Sequence, residues 1–191
     1  PCPGDAVETL HRRIEATKLA YMDGFKHITE RSEMVPTTEQ MLDDAYLKAR
    51  AALIGEHAVD PAHGNPLQGG TVYLATADDD GNMVSFIQSN FKGFGSGMVV
   101  PGTGISLQNR GWSFSLDPEH ANALAPGKRT YHTIIPGFIT KDDQAVGPFG
   151  VMGGYMQPQG QVQVVTSMIE DQLNPQAALD MPRWKWTTGR T

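Results

Sequence analysis

A polar loop rich in glycine, proline and histidine ends at Gly69-Gly70, and two alternating strand patterns follow it. They cover residues 71–77 and 83–89, and Asp78-Asp79-Asp80-Gly81-Asn82 between them is typical of a hairpin turn. Thr71 is therefore predicted to open the first strand, directly after a small residue and an exposed loop. This hairpin constrains the fold more than any other feature, because it fixes antiparallel pairing near the middle of a 191-residue chain.

Helical patterns precede the hairpin. Residues 5–28 carry apolar side chains on one face at helical spacing, with Asp5 placed as the cap. A second helix is predicted to begin after Thr37 and to continue to Leu53, before Gly55 ends it. The residues between Gly55 and the hairpin lack periodicity, so we expect an exposed connection that suits cleavage.

More strands and helices are predicted after the hairpin. A strand pair is expected at 131–140 and 145–151, and a helix after Gly153-Gly154. A short helix is expected at residues 175–179, and the tryptophans of residues 184–186 alternate as in a closing strand. This order of elements predicts an α+β protein in which helices cover an antiparallel sheet.

The composition argues against several classes of function. The formal net charge of −6 disfavours nucleic acid or an anionic membrane as the main partner, and no apolar run is long enough to cross a bilayer. The single cysteine, Cys2, cannot form an intrachain disulfide. His57 and His63 share the polar loop, but the six histidines include no pair at the spacing of known metal motifs. We therefore expect no metal and no cofactor.

Two familiar site motifs are missing from the sequence. The glycine-rich stretches at 93–97 and 102–104 lack the GK[ST] ending of a phosphate-binding loop, so they are predicted to be tight turns that can also line a site. The GxSxG motif of serine hydrolases is absent as well. A Ser-His-Asp triad stays open, because its members can lie far apart in sequence.

Thr71 offers a different chemistry. A threonine hydroxyl is a weak nucleophile and needs a base. If the peptide bond before Thr71 is cut, its own α-amino group, with an ordinary pKa of about 8, can serve as that base near neutral pH. The alternative is a structural role, since many strands begin with threonine.

Sequence marks from Thr71 onward point to a known family. They are Thr71, Asp-x-Asp-Gly-Asn at 78–82, Phe94-Gly95-Ser96-Gly97, Pro101-Gly102-Thr103-Gly104-Ile105, Pro126-Gly127-Lys128-Arg129, Gly153-Gly154, and Ala-x-x-x-Pro-Arg from Ala178 to Arg183. In their order and spacing the chain resembles the γ-glutamyltransferase family of N-terminal-nucleophile hydrolases, in particular its acylase-like members. Residues 1–70 resemble the end of the family's large subunit and residues 71–191 most of its small subunit. The resemblance implies an αββα sandwich with antiparallel sheets, of which this chain holds a part.

The resemblance also implies roles for individual residues. Thr71 would attack the carbonyl of Gly70, split the precursor after an N-to-O acyl shift, and then form an acyl-enzyme with a substrate amide. Ser89 stands where the family has a second hydroxyl supporting the nucleophile, and the predicted hairpin places it beside Thr71. Gly153 and Gly154 match the family's oxyanion hole, where one donor is worth about 3 kcal/mol in other acyl-transfer enzymes. The same two glycines would also suit a strand-to-helix turn.

Departures from the family pattern bear on the substrate. Ser113 stands where transferase members carry the carboxylate that binds the substrate's ammonium group, and His132 and Thr133 replace two family serines. Phe91 takes the place of an asparagine. Arg110 replaces an amide-bearing residue, and a guanidinium can bind a carboxylate in a two-pronged fit. We therefore expect hydrolysis of γ-glutamyl or glutaryl-type amides, glutathione-like or acylase substrates, rather than strict γ-glutamyl transfer. The alternative for Arg110 is a surface arginine at a strand end.

A non-catalytic interpretation is the second hypothesis. The start at Pro1 has no initiator Met, so we expect the chain to lie inside a longer protein, and Gly70 is still joined to Thr71. A fragment or unprocessed precursor of this kind could act as a scaffold or interaction domain. An incomplete sheet exposes an edge, which favours a partner. The expected partner is the remainder of the large subunit, and a homo-oligomer is left open.

Overall fold

The computed structural model describes residues 6–60 and 70–190, which fall into two compact units. The first unit contains 6–60, 113–131 and 186–190, and the second contains 70–112 and 132–185. Cys2, the predicted cap Asp5 and His63 lie outside the described residues. The predicted boundary between large-subunit-like and small-subunit-like regions, at residues 70 and 71, stays a prediction.

The first unit contains three α-helices: α1 (Ala6–His27), α2 (Thr38–Met41) and α3 (Asp44–Ala51). The capping box predicted for Thr37 is confirmed, since its side chain accepts from the Gln40 N–H and Gln40 accepts from the Thr37 N–H. The prediction of one continuous second helix is wrong. Asp43 ends it, because its carboxylate caps a new helix by accepting from the N–H groups of Ala45 and Tyr46.

The core of the first unit combines a buried ion pair with aromatic contacts. Lys18 Nζ lies 2.8 Å from Glu15 Oε1 and also donates to the Val59 carbonyl, so the buried charges are paired and hydrogen-bonded. Tyr21 packs against the buried Trp186 with ring centroids 5.8 Å apart. These contacts join α1 to segments distant in sequence.

The second unit is built on the predicted hairpin. Strand β1 (Gly70–Ala77) pairs antiparallel with β2 (Met83–Phe91), with Thr71 opposite Ser89 and Ala77 opposite Met83. Asp78 closes the turn, because its carboxylate accepts from the backbone N–H groups of Asp80 and Asn82. The hairpin and its turn are therefore confirmed.

A second hairpin and two helices complete this unit: β3 (Gly137–Lys141), β4 (Gln144–Phe149), α4 (Met156–Ile169) and α5 (Pro175–Asp180). The helix predicted after Gly153-Gly154 is confirmed, as is the short helix, which Asn174 caps. The strand predicted from residue 131 begins only at Gly137. In the preceding segment, α4 side chains take the place of a strand partner: Gln157 accepts from the Ile135 N–H and Gln161 donates to its carbonyl.

The predicted closing strand at residues 184–186 is also wrong. Trp184 is held by the Gln163 side chain, which donates to its carbonyl at 2.9 Å and accepts from its N–H at 3.0 Å. A side-chain amide thus satisfies the backbone groups that a neighbouring strand would have used. The alternation of the tryptophans reflects burial, with Trp186 only 4% exposed, and not sheet pairing.

The α+β class with antiparallel pairing is confirmed by these elements. Within residues 6–60 and 70–190, none of the helices combines the length and the apolar character that a membrane span requires.

Candidate active site

The two hydroxyls predicted to act together lie within hydrogen-bonding distance. Thr71 Oγ1 donates to Ser89 Oγ at 3.2 Å, and both side chains are half-buried on paired strands. Residues directly opposite in an antiparallel pair place their side chains on the same face of the sheet, which explains the contact. Ser89 is therefore placed to take part in any reaction at the Thr71 hydroxyl.

The end of β2 holds Ser89 from its other side. The backbone N–H of Phe91 donates to Ser89 Oγ at 2.9 Å. Phe91 is 2% exposed and has a left-handed backbone with φ 74°. The strand register shifts between Gly70, which pairs with Phe91, and Thr71, which pairs with Ser89. The irregularity thus lies at the peptide bond predicted to be cut.

An open groove of about 940 Å³ lies over these hydroxyls. Thr71, Ser89 and His132 line it, together with Gln108 and the glycine-rich segment around Gly104. The segment near the groove is braced by Asn109, whose side chain bonds the backbone of Lys92 and the Gly95 carbonyl. The hydroxyls of Thr71 and Ser89 are therefore reachable by a small molecule.

His132 presents a neutral imidazole to the groove. Its Nδ1 accepts the N–H of Ile134 at 3.1 Å, which assigns the proton of the neutral ring to Nε2. Burial, with a smaller contribution from the Arg110 guanidinium, lowers the pKa of His132 below its ordinary value. The ring is therefore an uncharged hydrogen-bond donor at neutral pH.

Arg110 is buried, so the alternative of a surface arginine is wrong. It is 4% exposed, its Nη1 donates to Thr133 Oγ1 at 2.8 Å, and its guanidinium carbon lies 3.9 Å from the centroid of the Phe91 ring. We call Arg110, Phe91, Thr133 and His132 the Arg110 cluster. Of its members, His132 is the one found among the described residues that line the groove. Contact between Arg110 and a substrate carboxylate stays a prediction.

Gly153 and Gly154 form the turn that starts α4. Both have positive φ, 116° and 61°, and their carbonyls accept from the N–H groups of Met156 and Gln157. Neither glycine N–H donates a hydrogen bond to another residue in the described part of the chain. Gly154 is buried, and buried backbone donors without a partner are rare. Two donors without a partner, one of them on a buried residue, suit the predicted oxyanion hole, which stays a prediction.

A tyrosine that the sequence reasoning missed connects the first hairpin to the end of β4. Tyr73 lies two residues after Thr71, its hydroxyl lies 3.1 Å from Ser85 Oγ, and Ser85 donates to the Phe149 carbonyl. Gly150 packs against the Tyr73 ring so closely that a methyl group at this position would overlap it. Strand alternation already puts Tyr73 on the face of Thr71, and this is the signal that could have found it.

Ser113 belongs to the first unit, whereas the residues described above belong to the second. Its backbone carbonyl accepts from Asn122 Nδ2 at 2.7 Å, and its buried hydroxyl makes no hydrogen bond to the described residues. Its role in substrate binding stays a prediction.

In the described ranges, 6–60 and 70–190, no group of three or more histidine, cysteine or acidic side chains could hold a metal ion.

Comparisons with known proteins identify the family of the chain. The family model described as gamma-glutamyltranspeptidase matches residues 3–190. The chain is 42% identical, over 97% of its length, to the glutathione hydrolase-like YwrD proenzyme of Bacillus subtilis, and 41% identical, over 98%, to the oxamate amidohydrolase proenzyme of Klebsiella pneumoniae. It covers 35% of each, so it spans about a third of the length of these relatives.

A solved structure shows the same arrangement of the backbone. The crystal structure of cephalosporin acylase from Bacillus halodurans superposes with a TM-score of 0.90 and 65% sequence identity, over 97% of this chain and 34% of that chain. The predicted N-terminal-nucleophile fold is thereby confirmed for the part that the chain holds. With a family model that matches nearly every residue, the chain belongs to the gamma-glutamyltranspeptidase family.

Proposed function

We propose that the chain is part of an amide hydrolase in which Thr71 becomes an N-terminal nucleophile. The observation that carries the proposal is the 3.2 Å hydrogen bond from Thr71 Oγ1 to Ser89 Oγ at the floor of an open groove. Thr71 lies at the second position of β1, directly after the peptide bond that must break. The names of the relatives support the proposal, because both are proenzymes of hydrolases.

The first reaction would cut the chain. Thr71 Oγ1 attacks the carbonyl carbon of Gly70, and its proton is relayed through Ser89 or water to the Thr71 nitrogen. The C–N bond then breaks to leave an ester on Oγ1 and a free amine. Water then hydrolyses the ester, which releases the Gly70 carboxylate. The product carries an α-amino group on Thr71 with an ordinary pKa of about 8, so the neutral amine is available near neutral pH.

The second reaction would use the same atoms on a substrate amide. The Thr71 amine takes the hydroxyl proton as Oγ1 attacks the amide carbon, and the N–H groups of Gly153 and Gly154 would bind the oxyanion. The amine then gives its proton to the leaving nitrogen, and water repeats the sequence to release the acid. The first half-reaction leaves an ester on Thr71 Oγ1, and the second returns Thr71 to its starting state.

The substrate we propose has an acyl group that ends in a carboxylate. The charge of Arg110 lies close enough to the groove to influence the pKa of His132, and the His132 Nε2–H can donate to an anion. A relative acts on oxamate according to its name, and oxamate carries a carboxylate next to the amide. These observations favour a glutaryl or γ-glutamyl amide, with hydrolysis ahead of transfer. The expected partner is the remainder of the large subunit.

The test is N-terminal sequencing of the complete protein after incubation. We expect a new terminus at Thr71, and we expect Thr71→Ala to remain uncut and inactive on glutaryl and γ-glutamyl amides. Thr71→Ser should still be cut, because serine keeps the hydroxyl. An uncut wild-type protein without amidase activity would support the scaffold alternative instead.

A further inference from the structure

Phe91 has a backbone conformation that is unusual for its residue type. Four non-glycine residues in the described ranges have positive φ, namely Phe91, Asp142, Asp143 and Gln172. The other three are polar and exposed, whereas Phe91 is 2% exposed. A bulky residue with φ near 74° is a true outlier, and such outliers cluster at functional sites.

The peptide group between Asn90 and Phe91 is held at both ends. Its carbonyl accepts from the Asn109 N–H at 3.2 Å, and its N–H donates to Ser89 Oγ at 2.9 Å. A hydroxyl oxygen has two lone pairs. One lone pair of Ser89 therefore faces Phe91, and the other accepts the hydroxyl hydrogen of Thr71 at 3.2 Å.

Two anchors fix the chain on the other side of the Phe91 Cα. The Phe91 ring packs on the buried guanidinium of Arg110, and the N–H of Lys92 donates to Asn109 Oδ1 at 3.0 Å. Rotation about the N–Cα bond of Phe91, the angle φ, sets the orientation of this peptide group relative to the two anchors. With the anchors in place, an ordinary negative φ would turn the plane and take its N–H away from Ser89.

We infer that the left-handed backbone at Phe91 positions the nucleophile pair, by holding one N–H on Ser89 so that Ser89 stays oriented toward Thr71. The inference rests on the proposed role of Thr71. Phe91 is thus a positioning residue, which acts through Ser89 and does not touch the substrate.

Phe91→Gly and Phe91→Ala in the complete protein form the test. Both remove the ring, but only glycine adopts positive φ without a steric cost. We expect kcat, and the rate of cleavage at Gly70–Thr71, to be about tenfold lower in Phe91→Ala than in Phe91→Gly, with similar KM values. A residue that matters only through packing would give equal rates, or lower rates for glycine, and that result would overturn the inference.

A second pair keeps the test decisive if loss of the ring unfolds both variants. Asparagine and leucine have similar shapes, but asparagine tolerates the left-handed region and leucine does not. We expect Phe91→Asn to exceed Phe91→Leu in kcat, although leucine packs better; the reverse order contradicts the inference. Thr71→Ala separates the two proposals. If Thr71→Ala abolishes activity but the Phe91 variants do not show the expected order of kcat values, the inference alone fails. An active Thr71→Ala protein would overturn the proposed function.

Discussion

Thr71 and Ser89 meet through a regular antiparallel register, whereas Arg110 meets Thr133 through two irregular segments 23 residues apart in sequence. In the hairpin, strand pairing places the two hydroxyl residues directly opposite each other. In the Arg110 cluster, burial and a charge-assisted hydrogen bond fix the side chains, and no strand pairing joins their backbones.

This difference suggests a division of labour. Chemistry that depends on a fixed distance is placed on paired strands, and the proposed recognition is placed on segments outside those strands. The resemblance described above implies that His132, Thr133 and Arg110 depart from the family pattern, whereas Thr71 and the hydroxyl of Ser89 match it. Three variants separate the two regions, from the largest expected effect to the smallest.

Ser89→Ala should slow the reaction at the Thr71 hydroxyl. Loss of the hydroxyl that accepts from Thr71 should lower kcat by roughly 10²-fold and slow cleavage at Gly70–Thr71, with little change in KM. Thr76→Ala, on the exposed part of the same hairpin, is the matched control and should have wild-type rates. If both variants are equally active, Ser89 has no part in the reaction.

Arg110→Ala should change recognition. It also removes one of the two contacts that hold Phe91, and we expect any loss of kcat from that cause to be the same for every substrate. We expect the preference for a glutaryl amide over the uncharged pentanoyl amide to fall by roughly 10-fold to 100-fold, since a hydrogen bond to a charged group is worth about 1.5–3 kcal/mol. The ratio of kcat/KM for the two substrates is the measurement, because general destabilisation affects both alike. Arg183→Ala, an exposed arginine in the same unit, serves as the control. An unchanged ratio would show that Arg110 does not recognise the carboxylate.

His132→Gln should have the smallest effect of the three variants. We expect it to make the stability of the protein depend less on pH. Because the pKa of His132 is lowered in the folded protein, the unfolded chain binds the proton more tightly. Wild-type stability should therefore fall as pH drops from about 6.5, the ordinary pKa, through the lowered folded value, and more steeply than that of the variant. Urea midpoints between about pH 8 and 5 measure this. Parallel curves would contradict the assigned direction of the pKa shift.

The hairpin could be predicted from sequence because its information is local. The Asp78–Asn82 turn fixes the register, so the pairing of Thr71 with Ser89 followed from counting residues along two strands. The start of α4 after Gly153-Gly154 is equally local, because glycines precede an apolar helical pattern. The catalytic roles of these residues, in contrast, rest on the resemblance and stay predictions.

The errors lie where distant side chains replace local backbone pairing. Gln157 and Gln161 bond the backbone of Ile135 across more than twenty residues, and Gln163 does the same for Trp184, so no strand forms at either place. The burial of Arg110 also depends on contacts with Phe91 and Thr133 that no periodicity reveals. Single-sequence patterns carry no information on such long-range contacts.

The most direct test of the central claim is to locate the nucleophile by covalent labelling. The complete protein would be treated with an electrophilic analogue of a glutaryl amide, such as a diazoketone, then digested and examined by peptide mass spectrometry. We predict one added label on the peptide that begins with Thr71, and no label on Thr71→Ala. A label on another residue, or equal labelling of Thr71→Ala, would contradict the assignment of Thr71 as the nucleophile.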